Sequence, residues 1–135
     1  MANILVDSNV LLDLFLDDPK WADWSERTLT AYSKTHELCI NPIVYSEVSI
    51  GFERIEELEE ALNRAGFTML EIPREALFLA GKVFLKYRKA KGAKANPLPD
   101  FYIGAQAAVM QLPLITRDQG KFKSYFPTLT VISPN

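Results

Sequence analysis

The stretch Ile4-Leu5-Val6-Asp7-Ser8-Asn9-Val10-Leu11-Leu12-Asp13-Leu14-Phe15-Leu16 decides how the rest of the chain is read. Its first three residues are apolar and rich in β-branching, the signature of a short buried strand. Asp7, Ser8 and Asn9 are turn and capping types, and the apolar run from Val10 to Leu16 continues as a helix. A strand that passes through a polar turn directly into a helix opens a βαβ unit. The same alternation recurs downstream. Trp21, Trp24, Thr28, Leu29 and Tyr32 recur at three- and four-residue steps and predict an amphipathic helix over 20–34. Leu38-Cys39-Ile40 reads as a second strand. Asn41-Pro42 then starts a helix that runs through Glu47 toward Gly51.

A charged helix is expected over 53–65, stopped by Gly66, with a strand at 67–70. Pro73 opens a long helix to about Lys91, and 92–99 reads as a loop. Pro99-Asp100 starts a helix of small residues, Ile103-Gly104-Ala105-Gln106-Ala107-Ala108-Val109, suited to close packing. Leu114-Ile115-Thr116 is a strand, 116–120 a polar turn, 121–126 a short helix and 129–132 a closing strand. Strands alternating with helices predict an α/β fold, a three-layer α/β/α sandwich around a mainly parallel sheet. Without an internal repeat or linker, the 135 residues are expected to form a single domain.

Hydrophobic residues make up 48% of the chain, enough for a core without disulfides. The one cysteine, Cys39, lies in an apolar run and is expected to be a buried small hydrophobe. The chain lacks a signal-peptide pattern at its start and an apolar run of membrane-spanning length, so a cytoplasmic protein without membrane contact is expected. A net charge of −2 and a pI near 5.4 exclude coating of nucleic acid by bulk charge. Any RNA contact must be local. The one basic stretch holds Lys82, Lys86, Arg88, Lys89, Lys91 and Lys94, which is either a phosphate contact or an ordinary solvated helix face.

Four acids stand where a plain solvated acid is not expected: Asp7, Glu47, Asp100 and Asp118. Asp7 and Asp118 follow strands, at the carboxyl ends where open α/β sheets form ligand crevices. Taken alone, Asp7 is equally a helix cap. Glu47 has Ile43, Val44, Ile50 and Gly51 at helical neighbour spacing, and Asp100 has Ile103, Gly104, Ala107 and Ala108, so both face apolar sides. Burying an unpaired carboxylate is costly, and a cation usually explains it. His36, expected in a loop, is the only histidine, which leaves hard oxygen donors suited to Mg²⁺ or Mn²⁺ and to phosphoryl chemistry.

Asp7-Ser8-Asn9-Val10-Leu11-Leu12, Glu47, Pro99-Asp100-Phe101-Tyr102-Ile103-Gly104-Ala105 and Thr116-Arg117-Asp118-Gln119-Gly120-Lys121-Phe122 together resemble the PIN domain family throughout its length, and within it the VapC-like toxins of type II toxin–antitoxin pairs. The resemblance implies that Asp7, Asp100 and Asp118 ligate Mg²⁺ or Mn²⁺. Glu47 would ligate it or hold a bound water, and Asn9 and Thr116 would orient this shell. It further implies a metal-dependent endoribonuclease that leaves a 5′ phosphate and a 3′ hydroxyl, a homodimer, and a cognate VapB-like antitoxin. The candidate antitoxin surface is Trp21, Trp24 and Tyr32, whose plain alternative is core packing. Lys86, Lys89, Lys91 and Lys94 are the candidate RNA contacts. Gly104 stands where the family often has alanine, and Arg117 has no assignable role.

Two other readings compete. One is a haloacid-dehalogenase-type phosphatase, which normally has a second aspartate two residues after the first; here that position is Asn9. The other is a catalytically inert PIN-like binding module, against which the presence of all four acids argues.

Overall fold

A computed structural model describes residues 1–91 and 98–134. Five strands form one parallel sheet: β1 (Ala2–Val6), β2 (His36–Ile40), β3 (Thr68–Met69), β4 (Leu114–Ile115) and β5 (Val131–Ile132), in the order β3-β2-β1-β4-β5. The helices between them are α1 (Ser8–Phe15), α2 (Ala22–Ser33), α3 (Pro42–Val48), α4 (Ile55–Ala65), α5 (Arg74–Lys91), α6 (Leu98–Met110) and α7 (Gln119–Tyr125). This is the expected α/β/α arrangement. β1 occupies the centre, and Ile4, Leu5 and Val6 are fully buried, as a parallel strand covered on both faces requires.

The order of strands determines where a site can form. From β1 the chain steps outward to β2 and β3, then crosses back over the sheet through α5 and α6 to β4 on the other side of β1. The direction of winding therefore switches between β1 and β4, and their carboxyl ends open a crevice at that switch. Register makes the juxtaposition tight. Leu5 pairs with Leu114 and Val6 with Ile115, and the Asp7 amide donates to the Ile115 carbonyl at 2.9 Å.

Local chemistry explains where elements begin and end. Asp18 accepts from the amides of Lys20 and Trp21, so α2 starts at Ala22, slightly later than its apolar spacing suggests. Asn41 caps α3 by accepting from the Val44 amide at 2.8 Å. Its side chain also donates to Gln106 on α6, and Gln106 donates in turn to the Glu71 carbonyl. Asn41 and Gln106 are both fully buried, and this bracket fixes α3 against α6. Gly66 ends α4 in the left-handed conformation, φ 79°, where a side chain would be strained.

Some expectations need correction. α3 stops at Val48 and passes into a 3₁₀ turn at Ser49–Gly51, so Ile50 is 83% exposed and does not extend the apolar face of Glu47. His36 opens β2 instead of lying in a loop, with its ring against Tyr32. Cys39 is buried and free, as expected. No helix among the described residues is long and apolar enough to cross a membrane. Gly104 is explained by contact: a Cβ there would stand 2.5 Å from the buried Phe126 ring, so the ring occupies the space an alanine methyl would need.

Candidate metal centre

Asp7 is the innermost of the four acids, 4% exposed at the end of β1. One carboxylate oxygen accepts from the Ser8 amide at 2.7 Å and caps α1; the other accepts from the Thr116 hydroxyl at 2.7 Å. The capping role and the crevice position coexist, because the cap leaves the second oxygen pointing across to β4. Burial pushes the Asp7 carboxyl up to about 6; Thr116 and the Ser8 amide oppose that rise, and the charges of Asp100 and Glu47 add to it.

Thr116 is the hub of the shell. Fully buried after β4, its oxygen donates to Asp7 and accepts from the Asp118 amide at 3.1 Å and from the Asn9 side-chain amide at 3.5 Å. Asn9 reaches back and accepts from the Arg117 amide at 3.4 Å. The turn carrying Asp118 is thus tied to the start of α1. Asn9 and Thr116, the two residues expected to orient the site, are joined to each other, Asn9 in α1 and Thr116 after β4.

Glu47 enters from α3, half-buried, and accepts from the Ser8 hydroxyl at 2.7 Å. Burial raises its pKa and the Asp100 charge adds to that, while Ser8 and Lys121 oppose it. Asp100, in the first turn of α6, and Asp118, the N-cap of α7, both pair with the Lys121 ammonium, at 2.8 and 3.3 Å. Asp7, Glu47 and Asp100, from three separate parts of the chain, lie within electrostatic reach of one another, and Lys121 links Asp100 to Asp118 from a fourth.

The donor set suits a hard divalent cation: all four candidates are carboxylates, Asp7, Glu47 and Asp100 feel one another's charge, and the deepest is costly to ionise without a counter-charge. Among the described residues no three of them converge tightly enough to enclose an ion, and the Lys121 ammonium supplies the local positive charge. Asp7, Glu47, Asp100 and Asp118 are the residues that would hold it.

Three participants escaped the sequence reading. Ser8 holds Glu47, Lys121 holds two acids, and Arg117 clamps Asp13. Asp13 is 5% exposed inside the apolar run of α1, so the argument that singled out Glu47 applied to it equally. None of the other candidate contacts makes a hydrogen bond or ion pair with the four acids among the described residues. Trp24 and Tyr32 are partly buried against the core, while Trp21 lies beneath the cations of Lys20 and Arg117. Lys82, Lys86 and Lys89 are exposed along α5; Lys94 and the side chain of Lys91 lie outside the described residues.

The sequence profile of the PIN domain family matches residues 4–125. The chain belongs to the PIN domain family. Solved structures agree with that fold. VapBC2 of Rickettsia felis, bound to a DNA fragment from its promoter, aligns with a TM-score of 0.73 and 18% identity over 98% of both chains. A toxin–antitoxin complex from Klebsiella pneumoniae aligns with 0.68 and 25% identity, again over 98% of both chains. FitAcB from Neisseria gonorrhoeae aligns with 0.67 and 22% identity over 97% of both. No curated protein matches this PIN domain in sequence. Family membership leaves the dehalogenase-type phosphatase without support.

Proposed function

We propose that this PIN domain is a Mg²⁺- or Mn²⁺-dependent endoribonuclease and the toxin of a VapBC-type toxin–antitoxin pair. The convergence of Asp7, Glu47, Asp100 and Asp118 at the β1–β4 switch point carries the reading. The toxin role is supported by the similar folds of VapBC2 and of the Klebsiella pneumoniae complex.

A bound divalent cation supplies charge neutralisation, a water activated toward a phosphodiester, and stabilisation of the leaving oxygen. The chain's own groups prepare that place. Thr116 and the Ser8 amide hold Asp7 by both oxygens, so its carboxylate cannot rotate. Ser8 fixes Glu47, a half-buried acid able to accept a proton or hold a water at the crevice edge. Asn9 and the Thr116 oxygen hold the turn that presents Asp118. Hydrolysis would leave a 5′ phosphate and a 3′ hydroxyl without a side-chain nucleophile.

RNA would meet the exposed lysines of α5, Lys86 and Lys89, with Lys91 and Lys94 continuing the basic run. A VapB-like antitoxin would dock on Trp21, Trp24 and Tyr32, and the protein would act in the cytoplasm as a homodimer. Alanine at Trp24 should then weaken antitoxin binding and leave the fold intact, whereas unfolding would mark it as core.

The deciding experiment incubates wild type and Asp100→Asn with total bacterial RNA, with Mg²⁺ or Mn²⁺ and with chelator, and maps new 5′ phosphate ends. Discrete cuts from wild type with metal alone support the nuclease. Folded proteins that never cut return the inert binding module to first place.

A further inference from the structure

Lys121 is an unexpected neighbour for a carboxylate crevice. Its Nζ lies 2.8 Å from Asp100 Oδ2 and 3.3 Å from Asp118 Oδ2, bridging α6 and α7, and its charge also reaches Glu47. The backbone holds the residue there as well, since the Lys121 amide donates to the other Asp118 oxygen at 3.3 Å. Asp100 is only 24% exposed, so the ammonium neutralises a carboxylate that water covers poorly.

We infer that the Lys121 ammonium is a built-in substitute for the divalent cation, holding Asp100 and Asp118 together in the metal-free protein and leaving when the ion binds. The inference rests on the metal-dependent reading above. A divalent ion held by Asp100 and Asp118 would compete with the ammonium for their carboxylates, and Mg²⁺ would need its oxygens at about 2.0–2.1 Å, closer than an N–H···O contact allows. An ammonium left between those acids would face the ion at a few ångströms, where two positive charges repel strongly. The stem can move, because the Lys121 side chain is 39% exposed. Lys121 thus lowers the apparent metal affinity of the site while keeping its acids from repelling one another when no ion is present. It is a positioning residue.

The test follows the ammonium itself. In ¹⁵N-lysine-labelled wild type, the Lys121 ammonium should give a protected signal without metal, and saturating Mg²⁺ should shift it to the position of a free lysine. In parallel, Mn²⁺ titrated calorimetrically into Lys121→Met should bind roughly two- to fivefold more tightly than into wild type, the size expected for removing a partly exposed ion pair. An ammonium signal unmoved at saturating Mg²⁺, or Mn²⁺ binding no tighter in Lys121→Met, overturns the inference and leaves the metal site standing. If neither protein binds Mn²⁺ or Mg²⁺, the inference and the metal-dependent reading fall together.

Discussion

Arg117 grips Asp13 with two nitrogens, Nε at 2.6 Å and Nη2 at 3.2 Å, and its guanidinium lies 5.1 Å from the centre of the Trp21 ring. One side chain thus ties the turn after β4 to the middle of α1 and to the start of α2. Its neighbours in sequence are Thr116 and Asp118, so the clamp adds a side-chain tie between the turn that carries Asp118 and α1, beside the β1–β4 ladder. The fork geometry of arginine is what permits it.

Arg117→Ala should cost about 3 kcal/mol in urea unfolding, because Asp13, 6% exposed in its side chain, would be left charged without a partner. Arg117→Lys should recover only part of that loss, lacking the second donor. Replacing both residues with leucine should cost less than Arg117→Ala alone. Equal losses in the single and double variants would mean that the pair contributes through packing on Trp21 and not through charge.

Asp7 makes metal-free stability depend on pH. Its carboxyl titrates near 6 in the folded protein against an ordinary value of 3.8, so the folded state binds that proton more tightly than the unfolded state. The stabilisation is full below about pH 4 and is lost as pH rises through 6, a difference on the order of 3 kcal/mol for a group so deeply buried. Asp7→Asn retains a capping oxygen for the Ser8 amide and removes the charge. Without metal it should melt several degrees higher than wild type at pH 7.5 and nearly level with it at pH 4.5. Mn²⁺ should then raise the melting point of wild type alone. A variant less stable than wild type at both pH values would show that the cap geometry, not the buried charge, dominates at this position.

Thr116→Val keeps the shape of a buried side chain and deletes the oxygen that Asp7, Asp118 and Asn9 share. Losing the hydroxyl that favours ionised Asp7 should raise its pKa further, moving the acid limb of the pH–rate profile to higher pH. RNA cleavage should fall by about 10- to 100-fold, the usual size for an orienting partner of a metal ligand. Thr116→Ser should retain most activity. The check is kcat/KM against pH for the three proteins; a profile that drops without shifting would assign Thr116 to folding alone.

Much of this was legible in the sequence because the decisive signals are local. Ile4-Leu5-Val6 is apolar without interruption, as a doubly covered strand must be, and Asn41-Pro42 and Gly66 mark helix ends by backbone chemistry that needs no tertiary context. Glu47 and Asp100 stood out because they interrupt apolar patterns, Asp7 and Asp118 because they follow strands. What remained hidden depends on distance through space. Lys121 looks like a surface lysine until α6 brings Asp100 beside it, and Arg117 has no meaning until β1 and β4 pair and bring Asp13 within reach. Ile50 misled because helical spacing assumes the helix continues, and here it tightens into a 3₁₀ turn. Gly104 was visible as an oddity, but its cause is a ring 22 positions later in the chain.

The basic face of α5 offers the last test. Lys82, Lys86 and Lys89 are exposed along that helix, and none of them is in an ion pair among the described residues. Lys82 lies over the exposed Phe78 ring, 5.0 Å from its centre, leaving Lys86 and Lys89 as the freer charges. If they neutralise phosphates, each contact releases counterions and adds about 0.7 to the logarithmic salt slope for single-stranded RNA. Lys86→Glu with Lys89→Glu should therefore raise KM for RNA, flatten the salt dependence of kcat/KM by roughly 1.4, and leave kcat nearly unchanged, since neither residue belongs to the acid crevice. A salt slope equal to that of wild type would make these lysines a solvated helix face, and RNA would then have to reach the acids along another surface.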